Sequence, residues 1–461
     1  MSFVIYNLIM ILFSFIYIFL KRYSRSIFLF QNVLNFFIAL LIFIRKFSFN
    51  IVLMDLFGVH LILDEISMYF ILLNAIVFLG ISLKGVEDET LIFLLSTTSF
   101  SLNLLFLSYD LFNLYVMIEL VSLLTFLLIV HGRKISQYWA ALKYIILGSL
   151  GMNLYLVGVA IVYRSNYSFS IQDVKNIPTI ALSLMLTGVM IRSGVFLFSM
   201  WLPQAHAEAE TVVSAVLSGV VVKTGVYTLL RLATFSKSEH IVSYFGAVSA
   251  VLGVIFAFLS DDYKKILSYH TLSQVGIILS SFKTAPLYSL AHGVFKSWLF
   301  LLKDDLPTRK VSEIKRLNFD TWIFLILASL SISGLPGTSG YIKSLVLKNV
   351  PFISKILLEV AFVGTCASFA KFFFIKVGKS KNRMTFHHIF LLTVSTILGI
   401  LFFDIKYVFS SILIFSAGIF IHLAMYGRFN VRKIALEELE VSLSMIIILT
   451  VVISWLMFLQ Q

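Results

Sequence analysis

The 461-residue chain is short of charge, of cysteine and of proline, and each shortage excludes something. Only 13% of its residues are charged and 59% are hydrophobic, against roughly 25% charged in a soluble domain. Such a chain cannot cover itself for water, which excludes a soluble head large enough to hold a cofactor. The single cysteine, Cys366, excludes an internal disulfide, a CxxC pair and an iron–sulfur cluster. In a redox machine, electrons would therefore be handled by partner subunits. There is no nucleophile elbow, HExxH motif, Walker loop or metal-spaced histidine cluster, so no metal and no cofactor is expected. His387-His388 reads as a loop pair with no further ligands nearby. A basic region before the first apolar run is also missing. Lys21, Arg22 and Arg25 follow that run, so residues 3–20 are expected to be an uncleaved first span.

What the chain has instead is apolar stretches of bilayer-crossing length. They fall at 3–20, 27–44, 65–84, 90–108, 110–130, 138–163, 180–201, 211–234, 241–259, 266–282, 285–302, 321–350, 352–376, 388–404, 408–426 and 441–459. The expected fold is all-α, a polytopic transmembrane helix bundle with about 14–16 true crossings. The net charge of +13 does not indicate nucleic-acid binding, because the basic residues are scattered through short connectors. Connectors after odd-numbered segments carry 20 of the 36 basic residues, among them Lys84, Lys134, Lys303 and Lys310, whereas those after even-numbered segments carry 10. The richer side is expected to be cytoplasmic, with both termini facing outward. Two of the six prolines, Pro203 in Trp201-Leu202-Pro203 and Pro336 in Gly334-Leu335-Pro336-Gly337, adjoin apolar runs. Proline removes a helix donor, so each is expected to end or break a helix, as in the discontinuous helices of transporter repeats.

Against this apolar background a few charges stand out. Glu119 lies nine residues into its span, roughly 13 Å deep in a ~30 Å hydrocarbon core. A carboxylate there costs about 2.5–3.5 kcal/mol on insertion scales, so it must face protein or water and have a partner. A structural ion pair between helices is the alternative to a role in ion transfer. Asp110 opens the same helix, where an ordinary helix-start carboxylate is as good a reading. Lys223, mid-span among small residues, is too deep to snorkel; a desolvated lysine can release its proton near neutral pH. His292 and Lys296, four residues apart, share one helix face and combine a near-neutral titrating ring with a cation. A hydrogen-bonded core histidine is the alternative. Lys264 and Lys265 follow Asp261 and Asp262 at a helix boundary, a position that more often marks a solvated cluster. Arg192, always charged, is expected to pair electrostatically rather than carry protons.

At these residues the sequence resembles the antiporter-like membrane subunits shared by complex I, Mrp cation/proton antiporters and membrane-bound hydrogenases. Four stretches carry the resemblance: SYDLFNLYVMIELVSLLTFLLI, MWLPQAHAEAETVVSAVLSGVVVKTGVYTLLR, DDYKKILSYHTLSQVG with LAHGVFKSWLFLL, and SISGLPGTSGYIKSLVL. The resemblance implies two inverted five-helix repeats with helices broken near Pro203 and Pro336. The implied division is N-terminal helices at 1–84, repeats at 90–260 and 261–426, and a connector with a last helix at 427–461. It also implies that Glu119 is the family's glutamate, Lys223 its broken-helix lysine, and Lys264 or Lys265 its central lysine. His292 and Lys296 correspond to its connecting pair. Two positions depart from the pattern: the family's terminal lysine or glutamate falls on Ser344, one place after Lys343, and Ser199 replaces a histidine before Trp201. The long C-terminal lateral helix of one family member is not expected after the last span.

The expected function is ion translocation by an antiporter-like subunit of a larger respiratory or antiporter complex. In that reading Glu119 biases Lys223, and protons step through His292 to Lys296 and on to Lys343. The expected partners are other membrane subunits, lipid, protons and, as a second ion, sodium; the expected location is a prokaryotic cell membrane, with the mitochondrial inner membrane as the alternative. The chain itself would be a non-redox subunit. A stand-alone transporter of a small solute and an intramembrane enzyme are the rival readings.

Overall fold

The computed structural model describes residues 2–53, 59–379, 385–425 and 438–459. The basic connector residues Lys381, Arg383, Arg428, Arg432 and Lys433 lie outside these. The chain opens with α1 (Ser2–Ser14), α2 (Ile16–Phe19) and α3 (Ser24–Arg45), then an antiparallel hairpin of β1 (Phe49–Val52) and β2 (His60–Leu63) in which Phe49 pairs with Leu63. There follow α4 (Glu65–Lys84), α5 (Glu89–Leu105), α6 (Leu111–Val130), α7 (Ile135–Asn166), α8 (Thr179–Ser193), α9 (Trp201–Glu208), α10 (Thr211–Val216) and α11 (Val222–Phe235). Next come α12 (Glu239–Leu259), α13 (Tyr263–Leu279), α14 (Ala285–Leu301), α15 (Phe319–Ser333), the short α16 (Lys343–Val346) and α17 (Phe352–Phe373). The last helices are α18 (Phe386–Leu401), α19 (Val408–Met425) and α20 (Leu439–Phe458), while β3 (Arg316–Leu317) and β4 (Lys376–Val377) form a small parallel pair. Among the described residues ten stretches are long and apolar enough to cross a bilayer, and α5, α8, α15 and α18 are shorter apolar helices. Every apolar segment read from the sequence contains helix, although 180–201 and 321–350 are interrupted within their length.

The helices are arranged by polarity, with the apolar side out. The Thr211–Phe235 stretch is 94% buried, whereas Ile405–Met425 is 11% buried and presents Phe409, Phe420 and Leu423 outward. Lipid tails are as apolar as leucine, so nothing hydrophobic drives such helices together; close backbone packing and polar contacts do. Both are present. A Cβ on Gly188 would fall 2.2 Å from the Gly151 carbonyl, so α7 and α8 touch backbone to backbone. The same holds for α12 and α13, where a Cβ on Gly276 would lie 2.3 Å from the Gly246 carbonyl. Four buried asparagines tie the N-terminal helices: Asn103 donates to Asn7 at 2.8 Å and to Asn35 at 3.1 Å, and Asn74 donates to Asn103 at 2.8 Å.

Three irregularities interrupt the interior helices. α8 ends at Gly194 (φ +83°), and helix resumes only at Trp201. Pro203 therefore does not break the helix as its position suggested. It sits in the first turn of α9, where its missing N–H would have had no partner anyway. The second break falls where it was expected: α15 ends at Gly334 (φ +83°), Pro336 and Gly337 form the turn, and short helical pieces resume at Ser339. The third, a π-turn over Leu217–Val221 between α10 and α11, was not foreseen. π-turns inside helices are frequent at functional positions.

Candidate functional site

Lys223 lies just beyond the π-turn and is fully buried. Its ammonium donates to the Ser218 carbonyl within that turn. Ser218 also shares a hydrogen bond with Thr271 of α13, Oγ to Oγ1, at 2.8 Å. Thr271 Oγ1 donates to the Leu267 carbonyl at 3.0 Å, and the same carbonyl accepts from the buried ammonium of Lys296 on α14. Two lysines on different helices thus end on two carbonyls, those of Ser218 and Leu267, which the Ser218 and Thr271 hydroxyls link. His292 lies one turn before Lys296, buried, within electrostatic reach of both lysines, and neither ring nitrogen has a hydrogen-bond partner among the described residues.

Two further lysines end on backbone carbonyls in the same way. Lys343 Nζ donates to the Ile332 carbonyl at 3.2 Å, beside the second break, and lies 4.8 Å from the centre of the Phe362 ring. A Cβ on Gly334 would fall 2.2 Å from Lys343 Cε. Glycine is required there both by backbone conformation and by the lysine that fills the space. Ser344 turns instead to the Tyr341 carbonyl at 2.8 Å. Lys264 and Lys265 separate: Lys264 is buried and donates to the Ala209 carbonyl that ends α9, while Lys265 is partly exposed. None of Lys223, Lys264, Lys296 and Lys343 pairs with a carboxylate among the described residues. Their acceptors are backbone carbonyls: those of Lys223, Lys264 and Lys343 lie at the π-turn, the end of α9 and the second break, and that of Lys296 lies within α13.

Glu119 has a different neighbour from the one the relay drawn from the sequence required. Its carboxylate accepts from Arg192 Nη2 at 3.1 Å and from Ser149 Oγ at 3.3 Å, with Lys223 outside this contact. Arg192 lies 5.2 Å from the Tyr144 ring centre, and a Cβ on Gly148 would fall 2.2 Å from its guanidinium carbon. Asp110 is the N-cap of α6: it accepts from Asn113 N at 2.5 Å and from His60 N at 3.0 Å, which ties the β2 strand to the helix start. His387 and His388 are not in a loop, as expected, but open α18, where both are buried and His388 Nε2 lies 2.8 Å from Asp305.

On the side of Lys84 and Lys134 a cavity of about 640 Å³ opens, with Lys264 in its lining. Across it His131 sits 3.0 Å from Asp88 and 3.3 Å from Glu210. Asp304 also lines it, accepts from Lys84, and accepts from Thr211 at 2.5 Å. Burial would raise the Asp304 carboxyl, but Lys84, Thr211 and Lys303 hold it below the usual carboxylate range.

Residues 108–369 match the family model described as NADH:quinone oxidoreductase/Mrp antiporter, TM. The chain belongs to that family. A protein of Staphylococcus aureus (strain N315) with antiporter subunit mnhD2 in its name is 27% identical over 309 residues, 59% of this chain and 62% of that protein. The mnhD2 protein of Staphylococcus aureus (strain NCTC 8325 / PS 47) is 28% identical over 266 residues, 51% of this chain and 53% of that protein. The match thus spans between half and two thirds of these relatives. Among solved structures, the membrane-bound sulfane sulfur reductase, an archaeal respiratory membrane complex, contains a chain of TM-score 0.76 at 18% identity, covering 91% of this chain and 99% of that one. A chain of the Mrp complex from Dietzia sp. DQ12-45-1b gives 0.76 at 17% identity, covering 93% and 97%. One in respiratory complex I from Thermus thermophilus gives 0.72 at 20%, covering 91% and 100%. At such identities these establish the fold: a multi-pass integral membrane protein of the antiporter-like type.

Within that family fold the structure gathers Lys223, His292 and Lys296, sets Lys264 and Lys343 at separate helix ends, and leaves Glu119 with Arg192. It also brings in groups that the sequence reading passed over. His206 on α9 and His270 on α13 are fully buried with unpartnered ring nitrogens, and Lys371 donates to the Ser260 carbonyl at 3.1 Å. His206 stands in the stretch MWLPQAHAEAE, where its adjacency to the expected break was the available signal.

Proposed function

We propose that the chain is the proton-translocating, antiporter-like subunit of a multi-subunit membrane complex. The observation that carries this reading is the bonded run from Lys223 through Ser218, Thr271 and the Leu267 carbonyl to Lys296. Buried amines held only by carbonyls and hydroxyls can gain and lose a proton, and two such amines in one network influence each other's charge. Protonating Lys223 disfavours the proton on Lys296, which passes toward His292 or onward toward Lys343; coupling is that interaction energy. Lys343, rather than Ser344, is the outlet in this reading, because its ammonium reaches the break. Glu119 acts through Arg192, setting the field at the α6–α8 side of the relay.

The similar glycine-ended helices at Gly194 and Gly334 support two repeats, within 90–260 and 261–426. The relatives' names and the complexes that hold the similar chains support other membrane subunits as partners. The bacterial relatives support a prokaryotic cell membrane as the location, and the basic connectors support cytoplasmic placement of the cavity side. The test is proton uptake by vesicles holding the purified parent complex. Lys223→Ala and Lys296→Ala should each abolish it while the complex still assembles; wild-type uptake in both variants would sink the reading.

A further inference from the structure

α12, α17 and α19 enclose a lipid-facing groove of about 910 Å³. α17 packs against both other helices and forms the floor, while Ile255 of α12 and Leu413 of α19 stand exposed on the two walls. Along α17 the lining runs from Ile356 to Ala367, and along α19 from Phe409 to Met425. These are roughly 16 Å and 24 Å of helix, so the groove follows most of a ~30 Å hydrocarbon core. In this apolar lining stands one charged side chain, Glu359 of α17. It lies seven residues into the helix, roughly 10 Å from the helix start. Its carboxylate is half-buried and enters no hydrogen bond or ion pair among the described residues. Lys355, one turn earlier on the same helix, is exposed and does not pair with it.

A carboxylate within a span is costly and is held where it meets a cation or a water-filled space. The lining offers no cation, and Ser410 is its one other polar side chain. Resting on the reading of this chain as one member of a multi-subunit complex, we infer that the groove seats a transmembrane helix of another subunit, which brings a lysine or arginine to Glu359. The groove has the length of a crossing helix. Gly364 and Ala367 keep its floor low, which permits the close backbone approach that holds helices together where apolar surface alone gives no advantage over lipid. The long stem of a lysine or arginine covers the apolar wall while its charged head reaches the carboxylate. Lipid tails suit the walls equally well but not the charge. A phospholipid carries its phosphate next to its chains, so the charge it sets nearest to Glu359 is negative.

The test uses the intact complex, purified in mild detergent through a tag on this chain, as wild type, Glu359→Gln, Glu359→Lys, Val360→Trp and Leu423→Trp. Size exclusion of a fluorescent fusion reads the folding of the chain, and quantitative mass spectrometry reads the subunits that come with it. Glu359→Gln should lower recovery of one partner by on the order of 10²-fold, the scale of truncating one member of a buried interface charge pair. Glu359→Lys sets like charges together and Val360→Trp fills the exposed floor, so both should lower it further. Leu423→Trp, exposed on α19 outside the groove, should leave recovery unchanged. A benzophenone amino acid in place of Val360 should cross-link to a transmembrane segment of that same partner containing lysine or arginine. Exchanging that residue for glutamate should restore recovery in Glu359→Lys. Wild-type recovery in Glu359→Gln and Glu359→Lys, a cross-link to lipid alone, or a captured helix without a cation would overturn the inference and leave the multi-subunit reading standing. Wild type that purifies with no other subunit would overturn both. If Glu359→Lys misfolds, Val360→Trp and the cross-link decide in its place.

Discussion

Arg192 Nη2 donates to Glu119 Oε1 at 3.1 Å and so ties α8 to α6, in a space that Gly148 leaves open. The guanidinium is buried, and its Nε and Nη1 have no partner among the described residues. The carboxylate is therefore the main compensation for a buried cation. Glu119→Gln should cost about 3 kcal/mol, the low end for breaking a buried pair because the carboxylate keeps some exposure. Gly148→Ala should produce a similar loss by displacing the guanidinium. The double variant Glu119→Gln/Arg192→Gln should recover much of the loss in thermal unfolding in detergent. Should the double variant also regain proton uptake, Glu119 would be structural; uptake that stays lost despite recovered stability marks its charge as part of the relay.

The helices were legible because lipid exposure demands long apolar runs, and even 65–84 was readable to the residue. The buried charges were legible for the same reason: Glu119, Lys223 and Lys296 are conspicuous among leucine and valine. Partnership was not. Glu119 and Arg192 are 73 positions apart, and no periodicity within α6 or α8 indicates which cation faces the carboxylate. The π-turn before Lys223 leaves little mark in composition, since Gly219 is the one helix-poor residue in Leu217–Val221 and glycine is frequent in transmembrane helices. Pro203 misled because proline marks the first turn of a helix as readily as its end. Whether Lys264 or Lys265 points inward was decided by the capping of α13 by Asp262, a local detail that sets the helix phase.

The basic cavity side and the opposite side should be distinguishable by labelling. Cys366 is buried, so single cysteines introduced elsewhere give a low background. Lys310 and Lys175 are both exposed and lie in connectors assigned to opposite sides. Lys310→Cys should react with a membrane-impermeant maleimide only after the cytoplasmic face is opened, and Lys175→Cys in intact cells. Labelling of both from one side would refute the orientation.

At the cavity, Asp304 accepts from Lys84 and Thr211 and holds the end of α4 against the end of α14. Its carboxyl is depressed below its ordinary value of 3.8. A depressed carboxyl contributes stability that is present above pH 3.8 and is lost as pH falls through the lower folded-state value. Asp304→Asn should thus lower thermal stability at neutral pH by about 0.5–1 kcal/mol, the scale of a partly exposed pair. The gap from wild type should close as pH drops below 3.8. A gap that stays constant down to pH 3 would mean that the side chain acts by packing rather than charge.

Gly334 combines φ +83° with a direction in which an added Cβ would lie 2.2 Å from Lys343 Cε. Alanine there meets about 1–2 kcal/mol of left-handed strain and pushes the Lys343 side chain off the Ile332 carbonyl. Gly334→Ala should therefore reduce proton uptake more than Gly337→Ala, which has the same φ but open space around its added Cβ. Melting temperatures should fall in both. Equal uptake in the two would indicate that backbone strain alone matters and that the placement of Lys343 does not.

Lys223 offers the sharpest separation of stability from function. Its ammonium is buried, has the Ser218 carbonyl as its acceptor, and pairs with no carboxylate among the described residues. Such a cation is an expense to the fold, and replacing buried charge by apolar groups of similar shape is often neutral or stabilising by about 1–4 kcal/mol. Lys223→Met keeps the unbranched shape and removes the charge, so its melting temperature should equal or exceed the wild type while proton uptake disappears. Lys223→Arg supplies the complementary half of the argument. Arginine keeps a positive charge at every working pH and cannot release its proton, and a fully buried site leaves little room for the larger guanidinium. It should unfold earlier and also fail to translocate. A fixed structural cation predicts the reverse order, with arginine retaining uptake and methionine destabilised. Measuring both variants for melting and uptake at matched expression therefore decides between a proton carrier and an electrostatic anchor, because each role demands a different variant to survive.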